Sequence, residues 1–295
     1  MTAYTPRIVV GGVALDDYAY QITNRTGWDN TAGLVGSNLK VPGRDGEIWQ
    51  AKDYGTGRMV LDLLVNGKDS AGVIPAGSTE SETFRNNIDK LLSLFSFRAG
   101  TLLVKKFMED GSERWNYGEV GAVITPEYYG DNNTATMTVE LVFPDPLWFD
   151  AIPTSALPAG SASIRTITLS AFAGMTAPIT DPVLLFVGPA ANPYVEDTVS
   201  GARILYSGTL AAGQTWRINC KTFKSEVGNL GYSPNPETFT GTPTNVLAAT
   251  TYSPGPRFFQ LTPDWTTLTP SINIGGTGFA STTTCQVHGN KRFIA

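Results

Sequence analysis

The sequence predicts a mainly β protein that folds as two domains, with one amphipathic helix in the first domain. Three observations lead to this prediction. The chain has 295 residues, and single hydrophobic cores stop growing at roughly 250–300 residues, which favours two domains. Its composition changes near position 150. Alternation of apolar and polar residues, typical of strands, is also far more common than helical periodicity.

The change of composition sets the predicted domain boundary. Residues 1–149 contain 13 Lys+Arg and 19 Asp+Glu, whereas residues 150–295 contain 8 and 7. Only 6 of the 19 prolines precede position 150. The stretch 150–163 is rich in Ala, Pro, Ser and Gly, as domain linkers often are. We therefore predict a first domain over residues 1–149, a linker over 150–163 and a second domain over 164–295.

One helix is predicted in the first domain, over residues 79–97. Thr79 and Glu82 fit a capping box at its start, and Gly100 follows its last turn. Five apolar residues fall at helical spacing and form a single stripe: Phe84, Ile88, Leu91, Leu92 and Phe95.

The rest of the first domain has the patterns of strands. Apolar and polar residues alternate from 136 to 143, as in a strand with one buried face. Asp110-Gly111 separates the segments 101–108 and 113–123, which predicts a hairpin. The second domain has short apolar runs separated by Gly, Pro, Thr and Ser clusters, a pattern that favours a β-sandwich or jelly roll.

Residues that could carry catalysis are scarce. The chain has a single histidine, His288, and no G-x-S-x-G sequence, which disfavours hydrolase and histidine-cluster metal sites. Cys285 and His288 could form half a metal site, but residues three apart on a strand point to opposite faces. We therefore expect no enzyme activity, no catalytic residue, no cofactor and no metal. Cys220 and Cys285 are expected to be buried thiols, and whether they pair is left open.

Charge and hydropathy restrict the partners. The formal net charge of -5 argues against a basic nucleic-acid-binding surface. No stretch of the sequence approaches the roughly 18 apolar residues of a membrane span, so no membrane association is expected. Among the aromatic residues of the second domain, Trp216 is expected in the core. Tyr232 and Trp265 lie in loops rich in Pro and Gly and are candidate contact residues.

A loop with Pro42, Gly43, Arg44, Asp45 and Gly46 precedes a strand, the capped helix and the hairpin, and the domain closes with Val142-Phe143-Pro144-Asp145-Pro146-Leu147-Trp148. This order of features resembles the distal tail protein family of siphophages.

The resemblance continues in the second domain. The segment from Gly213 to Asn219 and the Phe-Phe-Gln-Leu-Thr-Pro segment that ends at Pro263 are similar to segments of the family. The chain departs from the family where Asp264-Trp265 replaces the usual Gly and Asn.

The resemblance implies a fold and a place in the virion. The first domain would be a β-barrel-like (split-barrel) domain with the helix, and the second a galectin-like β-sandwich. Six copies would form a ring at the tail tip that joins the tail tube protein to the central hub, or tail-associated protein, with receptor-binding proteins as candidate peripheral partners. Genome DNA would pass through the ring without specific binding. The protein would be made in the host cytoplasm and end in the virion.

Two further hypotheses concern surfaces. The loop over residues 41–54 is too long for a simple hairpin turn and is a candidate insertion against a neighbouring subunit. If the acidic first domain lines the tube, its carboxylates would repel DNA phosphates, although a solvated acidic exterior is an equal alternative. The alternative function is that of a carbohydrate-binding module with an appended β domain, because a sandwich with loop aromatics permits sugar binding. A glycoside hydrolase is disfavoured, since no acid/base pair of carboxylates is identifiable.

Overall fold

The computed structural model describes residues 7–27, 33–37, 40, 53–96, 100–122, 125–130, 133–156, 160, 165–231, 238–253 and 259–294. Its contacts divide the chain into two compact units. Unit 1 comprises residues 1–151 with 294–295, and unit 2 comprises residues 152–293. Among the described residues, no helix combines the length and the apolar character needed to cross a membrane.

Unit 1 contains one α-helix and eleven described strands. They are β1 (Ile8–Val10), β2 (Val13–Ala14), β3 (Tyr20–Thr26), β4 (Leu34–Val35), β5 (Asp53–Tyr54), β6 (Gly57–Asn66), α1 (Glu80–Ser96), β7 (Leu102–Phe107), β8 (Glu113–Val120), β9 (Glu127–Tyr128), β10 (Thr134–Phe143) and β11 (Trp148–Asp150).

The main sheet of unit 1 follows the order β2-β1-β7-β8-β10-β6-β3, with β9 beside β10 and β11 beside β8. All of these neighbours pair antiparallel. β8 connects the two halves, because residues 113–118 pair with β7 while Glu119 and Val120 pair with Val142 and Leu141 of β10. The path of the described strands does not return on itself, so the sheet is open and not a closed barrel.

Alternation along the long central strands places the core on one face of the sheet. Leu61, Leu63, Met137 and Val139 are fully buried, whereas the residues between them are half-buried or exposed. Burying each such side chain contributes roughly 1.5–3 kcal/mol. Helix α1 packs against β6 and buries Phe84, Ile88, Leu91, Leu94 and Phe95. Of the predicted stripe, Leu92 is only half-buried, and Leu94, which was not predicted, is buried instead.

The predicted capping box begins α1. The backbone N–H of Thr79 donates to Glu82 Oε2 at 2.8 Å, and the backbone N–H of Glu82 donates to Thr79 Oγ1 at 3.2 Å. Two helix-terminal donors are thereby satisfied. The predicted hairpin is also present between β7 and β8. Its turn needs Gly111 because φ there is +82°, a conformation that a side chain disfavours.

Unit 2 contains thirteen described strands and two short 3-10 helices, Ser170–Phe172 and Leu247–Ala249. The strands are β12 (Thr154–Ala156), β13 (Arg165–Thr168), β14 (Val183–Val187), β15 (Ala190–Asp197), β16 (Arg203–Tyr206), β17 (Thr209–Leu210), β18 (Gln214–Asn219), β19 (Lys224–Gly231), β20 (Thr238–Asn245), β21 (Thr250–Ser253), β22 (Ser271–Thr277), β23 (Thr284–Gly289) and β24 (Arg292–Phe293).

Two antiparallel sheets build unit 2. One has the order β12-β23-β14-β18-β19-β20, and the other has the order β13-β22-β15-β16-β21 with β17 beside β15. A single apolar core includes side chains from both sheets, among them Phe186, Trp216, Val195 and Ile274. This is the layering of a β-sandwich. The prediction of a mainly β protein with one α-helix is confirmed.

Trp216 lies in this core, as predicted, and has no exposed surface. Its indole N–H donates to Ser225 Oγ at 2.8 Å. Ser225 Oγ lies 2.6 Å from Thr250 Oγ1, which donates to the carbonyl oxygen of Val246 at 2.9 Å. The polar atoms of this buried chain are thus satisfied by one another, which is what makes their burial tolerable.

Candidate functional site

The residues proposed as contacts divide between described and undescribed parts of the chain. Pro42, Gly43, Arg44, Asp45 and Gly46 lie outside the described residues, and so does Tyr232. Trp265 is described and is 60% exposed. Strands that precede and follow the Pro42–Gly46 segment in the sequence are described.

A small two-stranded ribbon brackets the Pro42–Gly46 segment. Leu34 of β4 pairs with Tyr54 of β5, and Val35 pairs with Asp53. We call these two strands the arm. Leu34 and Val35 are each 61% exposed and Tyr54 is 42% exposed. The arm forms a sheet of its own, and an isolated two-stranded ribbon is only marginally stable in water. Its apolar side chains are therefore candidates for a partner surface.

The face of the main sheet that points away from the core is acidic. We call it the outer face. Register and alternation place carboxylates there from four strands: Asp62 of β6, Glu119 of β8, Glu127 of β9 and Glu140 of β10. Among the described outer-face residues of these four strands, Arg58 is the one with a positively charged side chain. The remaining outer-face positions of β10 include the hydroxyls of Thr134, Thr136 and Thr138.

Hydrogen bonds hold two of these carboxylates in place. Thr138 Oγ1 donates to Asp62 Oδ1 at 2.7 Å, and Asn24 Nδ2 donates to Asp62 Oδ2 at 3.0 Å. Arg58 Nη1 lies 3.1 Å from Glu140 Oε1. Arg58 is 70% exposed in its side chain, so this ion pair is worth little to stability. The bonds fix positions and leave the face with more negative than positive charge.

Trp265 stands on a short, internally bonded turn. Pro263 and Pro270 bridge its base, and the backbone N–H of Leu268 donates to the carbonyl oxygen of Asp264 at 2.7 Å. Asp264 Oδ1 accepts the backbone N–H groups of Thr266 and Thr267, each at 2.9 Å. These bonds hold the pKa of the Asp264 carboxyl below its ordinary value of 3.8. The turn therefore presents a large aromatic side chain from a preformed backbone.

The residues of the half metal site do not come together. Cys285 belongs to the buried core of the sandwich. His288, three residues later on β23, bonds through Nδ1 to Ser155 Oγ at 2.7 Å on the neighbouring strand. Within the described residues, no cluster of three or more His, Cys, Asp or Glu could hold a metal ion. Cys220 and Cys285 are both unpaired buried thiols, and burial raises the pKa of each to about 12.

The sequence did not predict that these four carboxylates lie together on the outer face. Its carboxylates come from positions as far apart as 62 and 140, and only the strand register brings them to one surface. The sequence did indicate which residues of β10 face outward, because Thr136, Thr138 and Glu140 alternate with its buried residues. Which strands lie next to β10 could not be obtained from that alternation.

Comparisons with known proteins bear on the fold. No family model matches the sequence, and no curated protein matches it. The structure is similar to that of the Dit protein (gp 19.1) of phage SPP1, described as a paradigm of the hub adsorption apparatus in phages that infect Gram-positive bacteria. The TM-score is 0.57 and the sequence identity 14%, over 97% of this chain and 98% of that chain.

Two structures of the phage p2 baseplate in its activated conformation, with strontium and with calcium, match less well. Their TM-scores are 0.37 and 0.36, with 10% and 8% identity over 94% of this chain and 92% of each of those chains. These scores are too low to bear on the fold. The chain has the fold of the SPP1 Dit protein over nearly its whole length.

Proposed function

We propose that this protein is a structural component of a phage tail tip, a distal tail protein that forms a ring of six subunits, and that it is not an enzyme. The observation that carries the proposal is the shared fold, which includes both the β domain with its helix and the following sandwich. The ring would join the tail tube protein to the central hub, with receptor-binding proteins attached at its periphery. The protein would be made in the host cytoplasm.

The arm is proposed as the contact between neighbouring subunits. A closed ring uses two different surfaces of each subunit, one of which receives the other. Leu34, Val35 and Tyr54 supply an exposed apolar surface on a ribbon that a partner would stabilise. The Pro42–Gly46 loop lies between the two strands of this ribbon in sequence, so we propose it as part of the same contact.

The acidic outer face is proposed to line the ring. Carboxylates repel the phosphates of passing DNA, whereas lysine and arginine would bind them and release counterions. The hydroxyl-bearing positions of β10 keep the face polar without adding positive charge. Genome DNA would thus pass without specific binding.

Trp265 and Tyr232 are proposed as contacts of the sandwich with other tail proteins. A sugar site pairs an aromatic ring with polar side chains that are free to bind hydroxyls. Around Trp265, however, Asp264 is already bonded to Thr266 and Thr267, and Thr269 Oγ1 donates to the carbonyl oxygen of Thr267. This favours a protein partner over the carbohydrate-binding alternative at this turn.

Negative-stain images and native mass spectrometry of the purified protein test the ring. We expect six-fold rings with six times the mass of the monomer. Leu34→Asp should dissociate them, since it places a charge in the proposed apolar contact. Leu247→Asp is the matched control, because Leu247 is an exposed leucine of unit 2 at 41% exposure. Rings that survive Leu34→Asp would reject the arm contact, and a protein that stays monomeric at high concentration would count against the ring.

Electrophoretic retardation with duplex DNA tests the lining. The unaltered protein should not retard DNA even at low salt. Replacing Glu119 and Glu127 by lysine should produce binding that weakens as salt rises. The same exchange at Glu80 and Asp89, which are exposed on α1, should have a smaller effect on DNA held inside a ring. Equal retardation by both pairs of variants would contradict the assignment of the outer face to the lumen.

A further inference from the structure

A groove opens in unit 1 between helix α1 and described residues at the end of β9 and the start of β10. Its volume is about 500 Å³, within the range of roughly 300–1,000 Å³ found for small-molecule sites. The described residues that line it all belong to unit 1: Ser81, Phe84, Arg85, Tyr128, Gly130, Asn133 and Thr134.

An aromatic ring forms one wall of the groove. The ring of Tyr128 meets that of the buried Phe84 at right angles, with 6.1 Å between centroids and 83° between planes. This contact fixes the Tyr128 ring, yet the residue remains 62% exposed. The face of an aromatic ring carries partial negative charge, so it attracts polarised C–H groups such as those of a sugar ring.

The polar side chains that line the groove have hydrogen-bonding groups that no other described residue occupies. Ser81, Arg85, Asn133 and Thr134 make no side-chain hydrogen bond or ion pair with another described residue. This differs from the Trp265 turn, where the polar groups bond to one another.

Arg85 gives the groove a positive charge. Glu82 and Asp89 lie three and four residues from it, at spacings that often form ion pairs on a helix, but neither pairs with it in the described chain. The Glu82 carboxylate is engaged with Thr79 instead. The guanidinium is therefore available to an anion, for which it offers paired donors.

We propose that this groove binds a sugar unit that carries a carboxylate or phosphate group. The pyranose ring stacks on Tyr128, and Arg85 binds the anionic substituent. Ser81 and Asn133 bind ring hydroxyls. The site lies within one subunit, so its ligand binding can be measured whether or not the chain assembles into a ring.

Ligand-observed NMR of the full-length protein tests the proposal, with glucuronic acid, glucose 6-phosphate and glucose as probes at neutral pH. Saturation transfer to at least one acidic sugar is expected, with an affinity about tenfold or more above that for glucose because one charged hydrogen bond is added. Binding of glucuronic acid alone identifies a carboxylate ligand, and binding of glucose 6-phosphate alone identifies a phosphate ligand.

Surface variants locate the binding. Tyr128→Ala should abolish it, while Tyr128→Phe should retain it because the ring is kept. Arg85→Gln should reduce the affinity for the acidic sugar to that for glucose. Tyr129→Ala is the matched control, since Tyr129 is 52% exposed but does not line the groove. The proposal is overturned if neither acidic sugar binds, if glucose binds equally well, or if binding survives Tyr128→Ala.

Discussion

The ammonium nitrogen of Lys106 lies 4.1 Å from the centroid of the Trp148 ring, and both residues are buried. On the same strand, Lys105 Nζ lies 4.2 Å from the Trp115 ring, but these two side chains are only half-buried. β7 therefore makes two cation–π contacts of similar geometry in different surroundings. Because burial removes competing water, the Lys106 contact should be the stronger one.

Replacing Lys106 by methionine keeps the length of the side chain and removes its charge. We expect Lys106→Met to lower the free energy of unfolding by about 2 kcal/mol or more, and Lys105→Met by about 0.5–1 kcal/mol. Urea denaturation, with retained slope, measures both. Equal losses in the two variants would show that burial does not strengthen the contact.

The hydrogen bonds that link Trp216, Ser225 and Thr250 in the core lead to a second prediction. Ser225→Ala leaves the buried indole N–H of Trp216 without its acceptor, so the free energy of unfolding should fall by about 1–3 kcal/mol. Ser271→Ala is the control, since Ser271 Oγ makes only an exposed 3.4 Å bond to Thr168, and its loss should stay within about 0.5 kcal/mol. A neutral Ser225→Ala would mean that water or another group satisfies the indole.

The Trp265 turn should depend on pH through Asp264. Its folded pKa is lowered by hydrogen bonds from Thr267 and Thr266, so the stabilisation is complete above the ordinary value of 3.8. It is lost as pH falls through the lower folded pKa. With fluorotryptophan labelling, the ¹⁹F signal of Trp265 should stay constant down to about pH 3.8 and change only below it.

Two comparisons make that titration interpretable. Asp264→Ala at neutral pH should give the Trp265 signal that the unaltered protein reaches in acid. The signal of the core residue Trp216 reports global unfolding and should remain unchanged over the range in which Trp265 moves. A Trp265 signal that shifts together with Trp216 would assign the change to unfolding of the sandwich.

The two thiols should be unreactive in the folded protein. Burial raises the pKa of Cys220 and of Cys285 to about 12, so almost no thiolate is present at neutral pH. Ellman's reagent should detect no thiol in native protein and two after denaturation. Rapid reaction of either thiol without denaturant would show that the sandwich opens locally around it.

Local patterns in the sequence were sufficient to predict the long helix and strands of unit 1. The stripe from Phe84 to Phe95 and the capping box at Thr79 are local features, and both are present in α1. The alternation in β10 likewise gives its buried face, and the Asp110-Gly111 turn gives the β7–β8 hairpin. Periodicity predicts these elements because each of them buries one face against a core.

Non-local features could not be obtained in this way. β4 and β5 contain two residues each, too few to show an alternation. The predicted overlong loop over residues 41–54 includes β5 but not β4, so the arm was not predicted. The groove beside α1 depends on Tyr128 and Arg85, which come together only when β9 pairs with β10. The exposure of Trp265 agrees with its predicted place in a loop rich in Pro and Gly, and its role as a contact stays a prediction. The hydrogen bonds within its turn were not predictable from the sequence.

The strand order has a consequence for how the chain folds during synthesis. In unit 1, β1 pairs with β7 and β6 pairs with β10. The strands that are synthesised first therefore stay unpaired until their partners have been synthesised. In unit 2, β12 is made first and pairs with β23, near the end of the unit. Each unit must therefore hold unpaired edges until its late strands leave the ribosome, and folding should be slow because non-local pairing dominates.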